Sequence, residues 1–209
     1  MKKLLLSTLC GILMATGVAA AAPSVNGPTG MINDPSADVL RAGQVSLGYY
    51  HLKSGGVGVF NTHLADNLEV GVSGFRYDNQ NNKTYLNAKF ALAPETILTP
   101  GLAIGVMDAA STDKRSLYTV ASKALPFGFR VHVGTGNGRF GGVFAGIEKT
   151  VNPISVISGN NVFPSTTLIA EYDGRTMNYG ARMSVIPGLK LDAGWRGHST
   201  YFGMSFTSF

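Results

Sequence analysis

Residues 177–196 read MNYGARMSVIPGLKLDAGWR, and the way this stretch divides decides the fold. Met177, Tyr179, Ala181, Met183 and Val185 alternate with Asn178, Gly180, Arg182 and Ser184. After the turn signal Pro187-Gly188, Leu189, Leu191, Ala193 and Trp195 alternate with Lys190, Asp192, Gly194 and Arg196. Period two predicts a strand with two unlike faces, and the short Pro-Gly break predicts a hairpin. One face carries no charge. The other carries charges and glycine.

Working outward, the same pattern recurs in about twelve segments separated by turn signals such as DNQNN, LPFG and GNGRFGG. The uncharged row takes in Leu47 and Tyr49, Val57 and Val59, Val70 and Val72, and Leu86 and Phe90. Further along it takes in Tyr118 and Val120, Val131 and Val133, Leu168 and Tyr172, and Phe202, Met204 and Phe206. The interleaved row holds Glu69, Lys89, Lys123, Arg130, His132, Glu148, Glu171, Arg182, Lys190, Asp192 and Arg196, with Gly48, Gly58, Gly105, Gly134, Gly146 and Gly203.

Alternation alone fits a soluble sandwich with an apolar core, or a membrane barrel with lipid on the apolar face. Three features favour the barrel. Glycine on the charged row suits a curved wall against which something packs closely. Tyr49, Tyr118, Tyr172, Tyr179 and Trp195 on the uncharged row suit an aromatic girdle. An even number of strands closes an up-and-down meander without an edge, and the aromatic final strand then seals the cylinder. The reading is an all-β, up-and-down antiparallel transmembrane β-barrel of about 12 strands over residues 44–209. Residues 23–43 form a non-strand segment placed as a lumen plug, with Pro35–Leu40 opening a short helical turn capped by Ser36.

Residues 1–22 have the layout of a secretory signal peptide: Lys2 and Lys3, an apolar run, then Ala20 to Ala22. Cys10, the single cysteine, lies inside it, so the region after the leader has no thiol, disulfide or cysteine metal site. Without Lys2 and Lys3 the formal charge falls from +5 to +3, and no basic run points to nucleic acid. GNGRFG at 136–141 fits a dinucleotide-loop pattern, but strands flank it on both sides, which predicts a hairpin loop. The four histidines have no metal-ligand spacing, and no nucleophile stands out, so the expectation is no cofactor, no metal and no enzyme. The ten charges Glu69, Lys89, Lys123, Arg130, Glu148, Glu171, Arg182, Lys190, Asp192 and Arg196 are expected to form a cross-paired network in the lumen. Glu171 would pair with Arg182 or Arg196. The 150–165 stretch is the candidate for a long outward loop.

Between leader and first strand lies PSVNGPTGMINDPSADVLRAGQVSLGYY. Its Gly27 to Ile32, Asn33, Pro35, Ser36, Ala37, Val39, Leu40, Gly43 and Ser46 to Tyr49 resemble the start of the YjbH-like family of bacterial outer-membrane proteins linked to exopolysaccharide production. Ala170 to Gly174, Asn178, Gly180, Arg182 and Gly188 to Gly194 resemble a second family stretch. The larger members look several times longer, so this chain would correspond to a single barrel unit. The resemblance implies bacterial outer-membrane localisation and support of polysaccharide export or surface assembly. The partners it implies are outer-membrane lipid, the barrel-assembly machinery, and polysaccharide or export components. The alternative is a small porin-like or structural barrel with no polysaccharide partner.

Overall fold

A computed structural model describes residues 21–151 and 165–208 of the 209-residue chain. Twelve strands form: β1 Val45–Leu52, β2 Gly55–Ala65, β3 Leu68–Tyr77, β4 Lys83–Ala93, β5 Gly101–Met107, β6 Ser116–Leu125, β7 Phe129–Gly136, β8 Gly142–Val151, β9 Ser165–Tyr172, β10 Met177–Ile186, β11 Leu189–Arg196 and β12 Ser199–Thr207. Every strand pairs antiparallel with its sequence neighbour, and β1 pairs with β12 to close the barrel. The closing register sets Leu47 opposite Phe206 and Tyr49 opposite Met204. The aromatic last strand is therefore a seam, as its pattern predicts. The signal-peptide reading and most of the 150–165 loop reading fall outside the described residues. The strands flanking that loop leave from the rim that also holds β1's start and β12's end.

Leu47, Tyr49, Tyr179, Trp195 and Phe202 each keep about half of their surface open on the outer face. Charges on outward strand positions sit near strand ends, as with Arg76, Lys123 and Lys149. What lies between is an uncharged belt suited to acyl chains.

Two strands reverse the sequence reading. In β2, Val57 and Val59 are buried inside while Gly58 faces out, because Gly58 pairs with the outward Tyr49. In β6, Tyr118 and Val120 are buried inside, whereas Leu117 is outside. Tyr118 is thus not part of a girdle. The shift carries Lys123 to the outer row, near a rim, where it donates to the carbonyls of Thr96 (2.6 Å) and Ile97 (2.8 Å). Lys123 is not luminal. The physical reason is that the interior is not uniformly polar. One apolar cluster joins Val25, Met31 and Ile32 to Tyr50, Val57, Val59, Phe75 and Tyr201, and a second joins Ala37 to Tyr118, Val120, Phe140 and Phe144. Burying each large apolar side chain stabilises the fold by roughly 1.5–3 kcal/mol, so these inward positions favour hydrophobes as strongly as the lipid face does.

Glycine on the inner row does what its lack of a side chain allows. A Cβ on Gly203 would lie 2.2 Å from the Tyr50 ring, and one on Gly146 would lie 2.2 Å from Met31 Sδ. The GNGRFG stretch forms the β7–β8 hairpin loop.

Candidate functional site

Residues 22–37 are buried without a break, inside the cylinder. The segment folds back on itself through short-range bonds: Ser24 N to Pro28 O (2.9 Å), Val25 N to Ile32 O (2.8 Å) and Met31 N to Asp34 O (2.8 Å). Its GPTG motif has a steric reason. Gly27 takes a φ of 127°, and a Cβ there would meet Asn87 Nδ2 at 2.2 Å; a Cβ on Gly30 would meet the Asp34 carbonyl at 2.1 Å. The helical turn expected at Pro35–Leu40 does not form. Ser36 Oγ instead bonds the Asp38 carboxylate (2.9 Å) and accepts from Asp38 N (3.3 Å), a local bond that competes with a helix.

The wall grips this plug with its charges. Glu69 on β3 accepts from Thr29 N (2.9 Å), Thr29 Oγ1 (2.7 Å) and Leu40 N (3.1 Å). Lys89 on β4 donates to the Thr29 carbonyl (2.8 Å) and hydroxyl and lies 3.7 Å from Glu69. Glu171 on β9 accepts three successive backbone N–H groups, from Ile32 (3.0 Å), Asn33 (2.7 Å) and Asp34 (3.3 Å), plus Asn178 Nδ2 (3.0 Å). That is an anion seated in a cradle of amides. Arg182 on β10 donates to the carbonyls of Gly30 (2.9 Å) and Met31 (3.0 Å) while its Nε holds Asp192 on β11 (2.7 Å). Arg130 on β7 forms a two-pronged pair with Asp38 (2.6 and 2.8 Å) and reaches Glu95 (2.8 Å). Burial works to raise the Asp38 carboxyl, but the Arg130 guanidinium overrides it and holds the group below its ordinary value. Arg196 Nε donates to Asn33 Oδ1.

The expected cross-paired interior is therefore only partly present. Glu69–Lys89 and Arg182–Asp192 are wall pairs, yet Glu171 bonds plug amides rather than Arg182 or Arg196. The reason is supply. The plug brings unpaired backbone N–H and C=O groups into a dry space, where each unsatisfied group costs about 1–3 kcal/mol, and the wall charges satisfy them. Glu148 sits 3.7 Å from His132 Nε2, and His132 Nδ1 meets Ser122 Oγ (2.8 Å), which also accepts from Ala37 N (2.8 Å).

Sequence reasoning did not find Thr29, Asp38 or Asn33 as anchors, nor the inward aromatics Tyr50, Phe75, Tyr85, Phe144 and Tyr201. The signal available for the anchors was the polar, proline-broken run itself. A gap of about 40 Å³ remains between plug and wall, lined by Asp38, Arg130, His132, Glu148, Arg182 and Lys190. It has room for a water or two and not for a sugar ring.

Fold and site together define a twelve-stranded, outer-membrane-type β-barrel whose lumen is filled by its own N-terminal segment. The family model for the exopolysaccharide biosynthesis protein YbjH matches residues 24–163, and the chain belongs to that family. No curated protein matches the chain. Among solved structures, a KdgM porin in complex with disordered oligogalacturonate is similar in fold, with a TM-score of 0.54 at 9% identity, covering 79% of this chain and 99% of the porin.

Proposed function

We propose that the chain is a non-catalytic barrel of the bacterial outer membrane that supports export or surface assembly of exopolysaccharide, with its lumen held shut at rest by residues 22–40. One observation carries this reading: a segment buried without a break across residues 22–37 is fastened by buried carboxylates and guanidinium groups to strands on several sides of the wall. Such a closure suits a conduit that opens on demand. The family's link to exopolysaccharide supports the choice of cargo. Outer-membrane lipid, the barrel-assembly machinery and polysaccharide or export components are the partners this role requires.

The reading is tested by a covalent lock. Ala37 N lies 2.8 Å from Ser122 Oγ, which sets plug and wall side by side there, and an oxidised Ala37→Cys/Ser122→Cys pair serves as the staple once its disulfide is verified on a non-reducing gel. A polysaccharide-producing host carrying only the stapled chain should lose surface polysaccharide and regain it on adding a reductant. Undiminished surface polysaccharide with the staple formed would count against the role.

The likeness to a porin that binds oligogalacturonate supports a second reading, a small porin-like barrel with no secretion role. That version predicts that liposomes holding the intact chain swell in small neutral sugars. The filled lumen favours the first.

A further inference from the structure

The rim opposite the strand termini carries β1–β2, β3–β4, β5–β6, β7–β8, β9–β10 and β11–β12 connections, and it is basic. Lys114, Arg115 and Arg175 are exposed there, beside Arg139 and Arg196. The nearby acids are largely committed. Asp113 pairs with Lys83 (3.1 Å), Asp108 accepts from Thr112 N (2.8 Å) and Asp113 N (2.7 Å), and Asp173 accepts from Asn33 Nδ2 (2.8 Å) and Thr176 N (2.8 Å). Asp78 on the β3–β4 connection is a fourth acid and is exposed, but with Lys53, Arg76 and Lys83 the rim carries eight basic side chains against these four acids, so the mouth keeps a positive excess.

Two of these arginines also hold the plug. Arg139 Nη1 donates to Asn26 Oδ1 (3.1 Å), and Arg196 Nε donates to Asn33 Oδ1. Asn26 Nδ2 in turn donates to the Asn33 carbonyl (3.1 Å), so the two grips share one bonded unit at the top of the plug. Both arginines meet only neutral amide oxygens of the plug. Arg196 leaves Nη1 and Nη2 without a hydrogen-bond partner among the described residues. A carboxylate matches the guanidinium fork in two prongs, and such charge-assisted bonds are roughly twice as strong as neutral ones.

We propose that this mouth docks a carboxylated polysaccharide and that Arg139 and Arg196, by exchanging Asn26 and Asn33 for its carboxylates, couple docking to loosening of the plug. The inference deepens the proposed export role by naming the class of cargo. Competition at two arginines loosens the bonded tip first, while the deeper anchors at Glu171, Glu69 and Arg182 set how far the plug then moves.

The test uses the full chain in detergent, with Cys10→Ser and Ser24→Cys as the sole thiol. Ser24 is suited because it is fully buried in the plug and its hydroxyl has no partner among the described residues. Alginate oligomers, which carry a carboxylate on every sugar, are compared with dextran of matched length and with inorganic phosphate. The expected result is saturable alginate binding that weakens with salt, little dextran or phosphate binding, and faster maleimide labelling of the thiol when alginate is added. Arg139→Gln/Arg196→Gln should weaken alginate binding by about tenfold or more. Lys114→Gln/Arg115→Gln, placed on an exposed loop, should weaken it by a smaller factor with the barrel intact on an unboiled gel. Equal binding of dextran, phosphate binding in place of alginate, or full affinity in both double variants overturns the docking site; an unchanged labelling rate overturns the coupling. Binding is measured on purified protein, so its failure leaves the stapling result standing, and a failed stapling experiment leaves the binding result standing.

Discussion

Glu171 and Asp34 show how a single buried carboxyl acts here in two opposite ways. Glu171 is surrounded by donors, and Glu171→Gln keeps one acceptor while aiming an amide N–H at plug N–H groups. That change should lower the plug's stability by about 2 kcal/mol or more, read as faster labelling of the Ser24→Cys thiol. Asp34 has neither side-chain oxygen partnered among the described residues. Burial, and then the negative charges of Glu171 and Asp173, push its carboxyl up to about 10. A carboxyl raised in the folded state favours folding fully below its ordinary value of 3.8, and that contribution drains away as pH rises towards about 10. The seated plug should thus label progressively faster from mildly acidic to alkaline pH. Asp34→Asn, which cannot ionise, should flatten that slope; an equally steep slope in the variant would place the titration elsewhere.

At the scale of elements, the strands differ in what their inner faces carry, and this sets how much could be read from sequence. β10, β11 and β12 alternate charge or small residues with large hydrophobes, so Arg182, Lys190, Asp192 and Gly203 were legible as inward and Trp195 and Phe202 as outward. β2 and β6 were not, because both rows there are uncharged over most of their length: Val57, Val59, Tyr118 and Val120 look like lipid-facing residues and are buried against plug and loop. The plug's existence was legible in the polar, proline-broken run. Its bonds were not, since the partners stand as many as 163 residues away, as Arg196 does from Asn33. A pair of glycine variants tests the β2 assignment. Gly203→Ala presses a methyl into the Tyr50 ring at 2.2 Å, whereas a Cβ on Gly58 meets open space. The first should cost about 1–3 kcal/mol and lower the temperature at which the band shifts on a heat-modifiability gel, while Gly58→Ala should leave that temperature nearly unchanged. Equal sensitivity of the two would return β2 to the opposite face.

The whole molecule is a cylinder with two apolar surfaces, one outside and one against its own plug. No helix among the described residues is long and apolar enough to cross a membrane; the strands supply the span. Trp195 and Tyr179, paired across β10 and β11 and both about half exposed, lie on the outer surface. Brominated lipids should therefore quench Trp195 strongly in reconstituted protein, and an unquenched Trp195 would turn that surface away from the acyl chains. Inside, closure depends on residues 22–40 as a unit, because its anchors on β3, β7, β9 and β10 act on one short folded segment. The most direct measurement is the current through single barrels in planar bilayers, with the chain intact and with residues 23–40 removed. The intact barrel should hold the bilayer closed, and the shortened one should show steady unitary steps. A steady open current from the intact barrel, equal to that of the shortened form, would contradict a lumen sealed by its own N-terminal segment.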